Sequence, residues 1–488
     1  MVIIRRNLYN PEKEVITAVQ DNTGSHKYNG CYGVAADIGT TTISASLFAL
    51  DSGKYYRNIT ETNSQVKFGA DVMMRIMNSV MGKAGILHGI IIEQVENIIE
   101  RLSSGICSMD KIIKMSVAGN TTMCHIFLGR DLSGMSGAPF KAAYSGSASI
   151  TGKEAGFKKC PGIDIYVLPG IAAHTGADAV AVICSQKLYR TDKVQLAVDI
   201  GTNAEIILNN KGRIYACSAA AGPAFEGKGV KCGIRACQGA INGIKINKLT
   251  GNIVLDVLDT EEYSNNKNLS RHTTKLPATD TGKYATNSMP PEELIPKGIC
   301  GSGLADAISE LLKVKVLKPD GYLMDYNEAM QSGVKASVAE RLYRSSEGNY
   351  FVFYSKTGLS NKQHEIVVTQ KDIRNIQLAK AAIQAAAEVL FTKAGILLKD
   401  VDEVKIAGVF GKFIHPGSAI SFGLYPDIDT DRLHFIGNAA GNGAAQALFD
   451  NGFRELALKY SREAIHVELA QEKIFQEKFL NAMELKKW

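Results

Sequence analysis

The sequence contains no C-x-x-C pair, no apolar run near the ~20 residues that a membrane-spanning helix needs, and no block of lysine and arginine. Each absence removes a class of function. The nine cysteines (Cys31, Cys107, Cys124, Cys160, Cys184, Cys217, Cys232, Cys237 and Cys300) are odd in number and scattered, and the nearest two are Cys232 and Cys237. With four residues between even the nearest two, nothing in that spacing matches the tight runs that hold iron–sulfur clusters, so reduced, mostly buried thiols in a cytoplasmic chain are expected. The start, Met1-Val2-Ile3-Ile4-Arg5-Arg6, runs into polar residues and lacks the apolar core of a secretory signal. A formal net charge of +6 is small for 488 residues and leaves no nucleic-acid footprint. What remains is ordinary for a globular protein: 45% hydrophobic and 21% charged residues, with length for two or three domains.

One stretch occurs twice. Gly33-Val34-Ala35-Ala36-Asp37-Ile38-Gly39-Thr40-Thr41-Thr42 is echoed by Gln195-Leu196-Ala197-Val198-Asp199-Ile200-Gly201-Thr202-Asn203-Ala204-Glu205. Each copy reads as an apolar strand ending in Asp, then a Gly-Thr turn. The copies are too far apart for a solenoid of ~20–50-residue units, and imply two related lobes that share a cleft. Glycine lets backbone approach a phosphate, N–H groups and threonine hydroxyls donate to it, and a nearby Asp can hold Mg²⁺ through water.

Around the repeat, residues 1–32 read as a short strand or arm and a linker. Gly69-Ala70-Asp71-Val72 opens a helix. Gly119-Asn120-Thr121-Thr122 follows a strand and either faces the cleft or caps a helix. An alanine-rich helix after Gly176 suits a close contact between lobes. Its first-turn Asp178 is either a dipole-favoured carboxylate or a cleft group that orients water. The small-residue loop 219–229 carries Glu226 as its acidic side chain and is expected to lie against another backbone or a ligand. The polar stretches 252–297, including 264–268, and 318–366 read as insertions. Gly298-Ile299-Cys300-Gly301-Ser302-Gly303 starts a helix in a way that suits an anion. Thr369-Gln370-Lys371-Asp372 resembles a capping box and opens a helix to about Ala394, with Ile373, Ile376, Leu378, Ala381, Ile383 and Val389 buried. Gly408-Val409-Phe410-Gly411 and Gly437-Asn438-Ala439-Ala440-Gly441 are strand-to-helix junctions where glycine admits a flat ring close to backbone.

In this order the stretches resemble the ATPase core of the superfamily of sugar kinases, actins and heat-shock chaperones. Residues 37–42 resemble its first phosphate loop, 169–181 its first inter-lobe connection, 199–205 its second phosphate loop, 407–411 its adenosine motif and 437–443 its second connection. The resemblance implies an α/β, two-lobed actin-like fold of duplicated ribonuclease-H-like domains, with residues 33–190 in one lobe and 191–488 in the other. More narrowly, the first repeat, Gly69-Ala70-Asp71-Val72, Gly119-Asn120-Thr121-Thr122-Met123, Leu168-Pro169-Gly170-Ile171, Ala221-Gly222-Pro223-Ala224-Phe225-Glu226-Gly227, the 298–303 stretch, Thr369-Gln370-Lys371-Asp372-Ile373 and Gly437-Asn438-Ala439-Ala440-Gly441 resemble the reductive activators of corrinoid proteins, over roughly residues 33–450. In that family ATP binding and hydrolysis are coupled to reduction of Co(II) to Co(I) on a methyl-transfer corrinoid partner.

The resemblance implies site roles. Asp37 and Asp199 position Mg²⁺. Gly39, Thr40, Thr41, Thr42, Gly201, Thr202 and Asn203 meet phosphates, with Gly301 and Ser302 as a further anion-binding turn. Gly408, Gly411, Gly437 and Asn438 flank the nucleoside, and Asp178 or Glu226 places the water. Members of the family usually carry an iron–sulfur domain. Only residues 1–32 precede the first loop here, so no cluster is expected in this chain, and a separate donor such as a ferredoxin supplies the electron. The rival expectations are a small-molecule kinase and a non-redox ATP-dependent binding or remodelling protein. The sequence leaves the oligomeric state open, a homodimer included.

Overall fold

The computed structural model describes residues 1–8, 28–259, 295–356, 365–408 and 414–488. The stretch 264–268 and Gly411 lie outside the described residues. Strand β1 (Val2–Leu8) comes first. The first sheet then takes β2 (Tyr32–Ile38), β3 (Thr42–Ala49), β4 (Tyr55–Thr62), β5 (Ile112–Gly119), β6 (Ala148–Thr151) and β7 (Asp164–Val167), ordered β4-β3-β2-β5-β7-β6. The chain starts a second sheet with β8 (Val194–Ile200), β9 (Ala204–Asn210) and β10 (Arg213–Ala219). It leaves that sheet for β11 (Ala240–Ile246), β12 (Ile253–Asp259), β13 (Gly298–Ile299), β14 (Leu342–Ser345), β15 (Gly348–Ser355) and β16 (Glu365–Thr369). It returns with β17 (Glu403–Ala407), β18 (Leu433–Gly437) and β19 (Ile465–His466). The second sheet is ordered β18-β17-β8-β9-β10-β19.

The two sheets repeat one pattern. In each, three antiparallel strands form a meander whose first strand is central, and two parallel strands extend the sheet on its other side. Those central strands, β2 and β8, are apolar on both faces, with Val34, Ala35, Ala36 and Ile38 in one and Leu196, Ala197, Val198 and Ile200 in the other all buried. That is what a strand covered on both sides requires. The sequence repeat is therefore a fold repeat, and it sets Asp37 and Asp199 at equivalent strand ends.

The helices Ala177–Ser185 and Ala439–Phe449 pack together between the sheets. Their core includes residues of β2 and β5 and also Ala197, Ile207, Ile214, Ala216 and Ala407 of the second sheet. Small residues set the spacing: a Cβ placed on Gly443 would lie 2.5 Å from the Cβ of Ala181. The late helix 439–449 thus belongs to the same core as the first sheet, an arrangement no local signal reveals.

The stretch 252–297 begins as an interior strand rather than a loop. β12 pairs with β1 on one side and β11 on the other, and residues 260–294 lie outside the described residues. Within 318–366, β14, β15 and β16 form a small sheet that buries Phe351, Phe353 and Val368 in the main core. The helix Gln370–Ala394 is capped as its sequence indicates: Asp372 N donates to Thr369 Oγ1 at 3.2 Å and Thr369 N to Asp372 Oδ2 at 2.9 Å. Ile373, Ile376, Ala381, Ile383 and Val389 are buried as expected, but Leu378 is 41% exposed and Lys380 is fully buried. The C-terminal segment covers Lys380, whose Nζ donates to Glu484 O at 2.8 Å and to Gln384 Oε1 at 2.9 Å. Among the described residues no helix is long and apolar enough to cross a membrane.

Candidate functional site

Two tight turns build the site. After Asp37, Gly39 N donates to Thr42 O at 2.9 Å, and a Cβ on Gly39 would lie 2.8 Å from that carbonyl, so only glycine fits. Asn63, fully buried, braces this turn: its N donates to Thr41 O at 2.8 Å and its Nδ2 to Gly39 O at 2.9 Å. After Asp199, Gly201 and Thr202 form the matching turn. The two turns touch, with Thr41 and Thr202 hydroxyl oxygens 2.5 Å apart. Thr202 donates to Glu226 Oε1 at 2.7 Å, which leaves Thr41 as donor to Thr202. One hydroxyl chain therefore joins the first turn, the second turn and the Glu226 loop. That loop lies against another backbone, as its composition indicated: a Cβ on Gly227 would lie 2.5 Å from Ile234 O.

The turns open on a cleft of about 920 Å³, a volume that admits a nucleotide-sized ligand. Asp37, Gly39, Thr40, Thr41, Thr42, Asp178, Asp199, Gly201, Thr202, Asn203, Glu226, Gly408 and Asn438 all line it. Gly408 has φ +95, and a Cβ there would lie 2.5 Å from Ile200 O and 3.2 Å from Asp199 Oδ1, so glycine lets the end of β17 abut the second turn. Gly437 stands just behind, its carbonyl accepting from Gly408 N at 3.0 Å. Asn120 serves in both of its expected ways: it lines the cleft, and its Oδ1 caps the helix Thr121–Phe127 by accepting from Thr122 N at 2.9 Å. Thr121 turns away and donates to Ala172 O at 2.8 Å.

Gly301 and Ser302 are not brought to the cleft. A Cβ on Gly301 would lie 2.0 Å from Phe225 O, and Ser302 Oγ lies 3.3 Å from Cys300 Sγ. Gly301 thus packs that helix start against the turn carrying Glu226. Three charged residues of the cleft carry no local sequence signal of their place there. Glu205 faces Asp199 directly across the β8–β9 ladder, so hairpin register places both on one face. Arg57 and Arg235 also line the cleft, and no local pattern marks either.

The carboxylates of the cleft are all held above their ordinary range. Burial pushes Asp199 up to about 8 and Asp37 up to about 7, with repulsion from Asp178 adding to both and the Asn438 side chain drawing Asp37 back. Burial lifts Asp178 to about 6 against N–H donors at Ala179 and Gly176. Glu205 is held well above the usual carboxylate range by burial and by Asp178 and Asp199. Burial also raises Glu226, opposed by the Thr202 hydroxyl and by Lys228 and Arg235, and its Oε2 is buried with no partner. Among the described residues no three such side chains converge tightly enough to hold a metal ion directly. Carboxylates that repel one another across a cleft without sharing one point suit Mg²⁺, which keeps several waters.

A duplicated sheet, paired Gly-Thr turns and a carboxylate-lined cleft define the actin-like class of two-lobed nucleotide-cleft proteins. Within it the chain belongs to the RACo family. Residues 193–488 match the family's C-terminal domain, described as the ASKHA domain, and residues 32–191 match the RACo middle region. The chain is 31% identical to the corrinoid activation enzyme RamQ of Eubacterium limosum over 460 residues, which cover 93% of this chain and 70% of that protein. It is 24% identical over 453 residues to the [Co(II) methylated amine-specific corrinoid protein] reductase of Methanosarcina barkeri, covering 90% and 72%. The solved structure of a reductive activator for corrinoid, iron–sulfur protein superposes with a TM-score of 0.77 at 30% identity, over 94% of this chain and 66% of that one. The chain therefore spans about two thirds of the length of that structure.

Proposed function

We propose that this chain binds and hydrolyses Mg·ATP between its lobes and uses the cycle to activate a corrinoid protein, driving Co(II) to Co(I) with an electron from a separate donor such as a ferredoxin. The observation that carries the ATPase part is the meeting of two Gly-Thr turns in one cleft lined by five carboxylates. Membership of the RACo family and the names of its relatives support the corrinoid part. Asp37 and Asp199 would hold Mg²⁺, and the ion, when bound, would offset phosphate charge. Thr40, Thr41, Thr42, Thr202 and Asn203 orient the phosphates. Glu226 is favoured over Asp178 as the residue that places the water, because its free Oε2 is buried at the cleft while Thr202 fixes its other oxygen. Such a site works by positioning and electrostatics.

Phosphate release with Mg·ATP, and appearance of the Co(I) spectrum when a corrinoid protein and a ferredoxin-type donor are added, test the proposal together. A phosphorylated small molecule formed in place of free phosphate would overturn it in favour of a kinase. Two narrower outcomes are expected. Glu226→Gln should cut kcat for hydrolysis by about 10²-fold or more with ATP affinity kept, measured by single-turnover and binding assays. Cys237 is exposed and lines the cleft, so Mg·ATP should slow its alkylation severalfold, read by mass spectrometry of the labelled peptide; equal labelling with and without nucleotide would place ATP elsewhere.

A further inference from the structure

We propose that Arg235 is a catalytic residue that reaches from the second lobe onto the γ-phosphate, and that it moves as one piece with Glu226. The inference rests on the ATPase reading and adds to it a residue that no motif marks.

Its position carries the first part. Arg235 lines the same cleft as Asp37, Asp199 and Thr202, and its Nη2 donates to Thr42 Oγ1 at 3.2 Å. A side chain of the second lobe thus contacts the first lobe's phosphate turn. A guanidinium has five N–H donors, and the threonine hydroxyl takes one. No carboxylate among the described residues lies within ion-pair distance of Arg235, so donors remain for a planar, multidentate anion. The need for such a cation is plain in a cleft with five carboxylates. A triphosphate entering it brings further negative charge, and the transferring phosphoryl group spreads charge over its equatorial oxygens.

The backbone carries the second part. Ile234 N donates to Ile299 O at 2.9 Å and Ile299 N to Cys232 O at 2.8 Å, which pins the segment before Arg235 to β13. Gly227, next to Glu226, stacks on that segment: a Cβ on Gly233 would lie 2.3 Å from Gly227 O. The Glu226 turn and the Arg235 segment are therefore held as a unit, with the water-placing carboxylate and the charge-neutralising cation at fixed separation. In the step itself the water oxygen bonds to the γ-phosphorus as the bond to the β,γ-bridging oxygen breaks. ADP leaves with that electron pair, and the proton of the water passes to Glu226 and then to solvent. Arg235 donates to the γ-phosphate oxygens throughout.

The test uses the full chain with Arg235→Ala and Arg235→Lys, each checked for an unchanged melting curve. Steady-state hydrolysis is expected to fall on the order of 10²–10³-fold in Arg235→Ala, within the range for an arginine acting on a transferring phosphoryl group. Arg235→Lys should recover part of the loss, and added guanidinium should partly rescue Arg235→Ala. Affinity for a non-hydrolysable ATP analogue should drop while that for ADP holds, since only the former has a γ-phosphate. Wild-type kcat in Arg235→Ala overturns the proposal. So does an equal loss of ADP and analogue affinity without guanidinium rescue, which marks a structural role. Failure of the underlying ATPase reading is distinct, because wild type itself would then release no phosphate, and the proposal falls with it.

Discussion

Asp199→Asn is expected to abolish ATP hydrolysis while raising the melting temperature of the nucleotide-free protein at pH 8. The two effects share one cause. Asp199 lies in the cleft beside Asp37 and Asp178, and its carboxyl is pushed up to about 8. A carboxyl whose folded pKa exceeds its unfolded value of ~3.9 gives stability that is complete below ~4 and is lost as pH rises through the folded value. For Asp37 and Asp199 that window ends near 7 and 8. The melting temperature of the wild-type protein without metal or nucleotide should therefore fall from about pH 6.5 to about 8 and level off above, and Asp199→Asn should flatten the slope. The buried His125 and the half-buried His174 and His466, whose pKa values desolvation lowers, act in the opposite sense only below ~6.5. Loss of the metal-holding charge should cost at least about 10²–10³-fold in turnover, by analogy with removal of one preorganised electrostatic group. Asp37→Asn should behave alike. Phosphate-release assays and thermal melts check both halves. Retained turnover in both variants would sink the metal site, and a lower melting temperature at pH 8 would sink the crowding of charge.

Gly443→Leu is expected to prevent folding. Gly443 sits where helix 439–449 crosses helix 177–185, and a Cβ there would lie 2.5 Å from Ala181 Cβ, 2.8 Å from its Cα and 2.9 Å from its carbonyl oxygen. Backbone cannot rotate aside as a flexible side chain can. Overpacking of a close-packed core costs ~1–3 kcal/mol and sometimes more, and here it separates the helices that join the two sheets. Gly443→Ala should remain soluble with a loss of about 1–3 kcal/mol by denaturant unfolding. Gly89→Ala in the helix Ala84–Ser103 is the control, since nothing lies within 4 Å of a Cβ there, and it should be neutral or stabilising by ~0.5–1 kcal/mol. A Gly443→Leu protein that melts like wild type would show that the helices can part without cost.

Much of the fold was legible in short stretches. The strand-Asp-Gly-Thr repeat reported both sheet centres, because an apolar strand and a glycine turn are local signatures. The Thr369–Asp372 cap was legible for the same reason. Legibility failed where the neighbour across space decides. Gly301 and Ser302 read as an anion-binding turn, yet that turn meets the Phe225 carbonyl. Leu378 read as core, yet the C-terminal segment covers Lys380 instead.

The sequence by itself determined the two turns, the carboxylates at their strand ends and the caps, because torsional preference and hydrogen-bonding capacity are properties of residues three or four apart. Only the tertiary structure decided that Glu205 and Arg235 share the cleft with them, that Thr41 and Thr202 touch, and that Asp37, Asp178, Asp199 and Glu205 stand close enough to repel. Coulomb repulsion and close packing depend on distance in space, which the order of residues along the chain does not state.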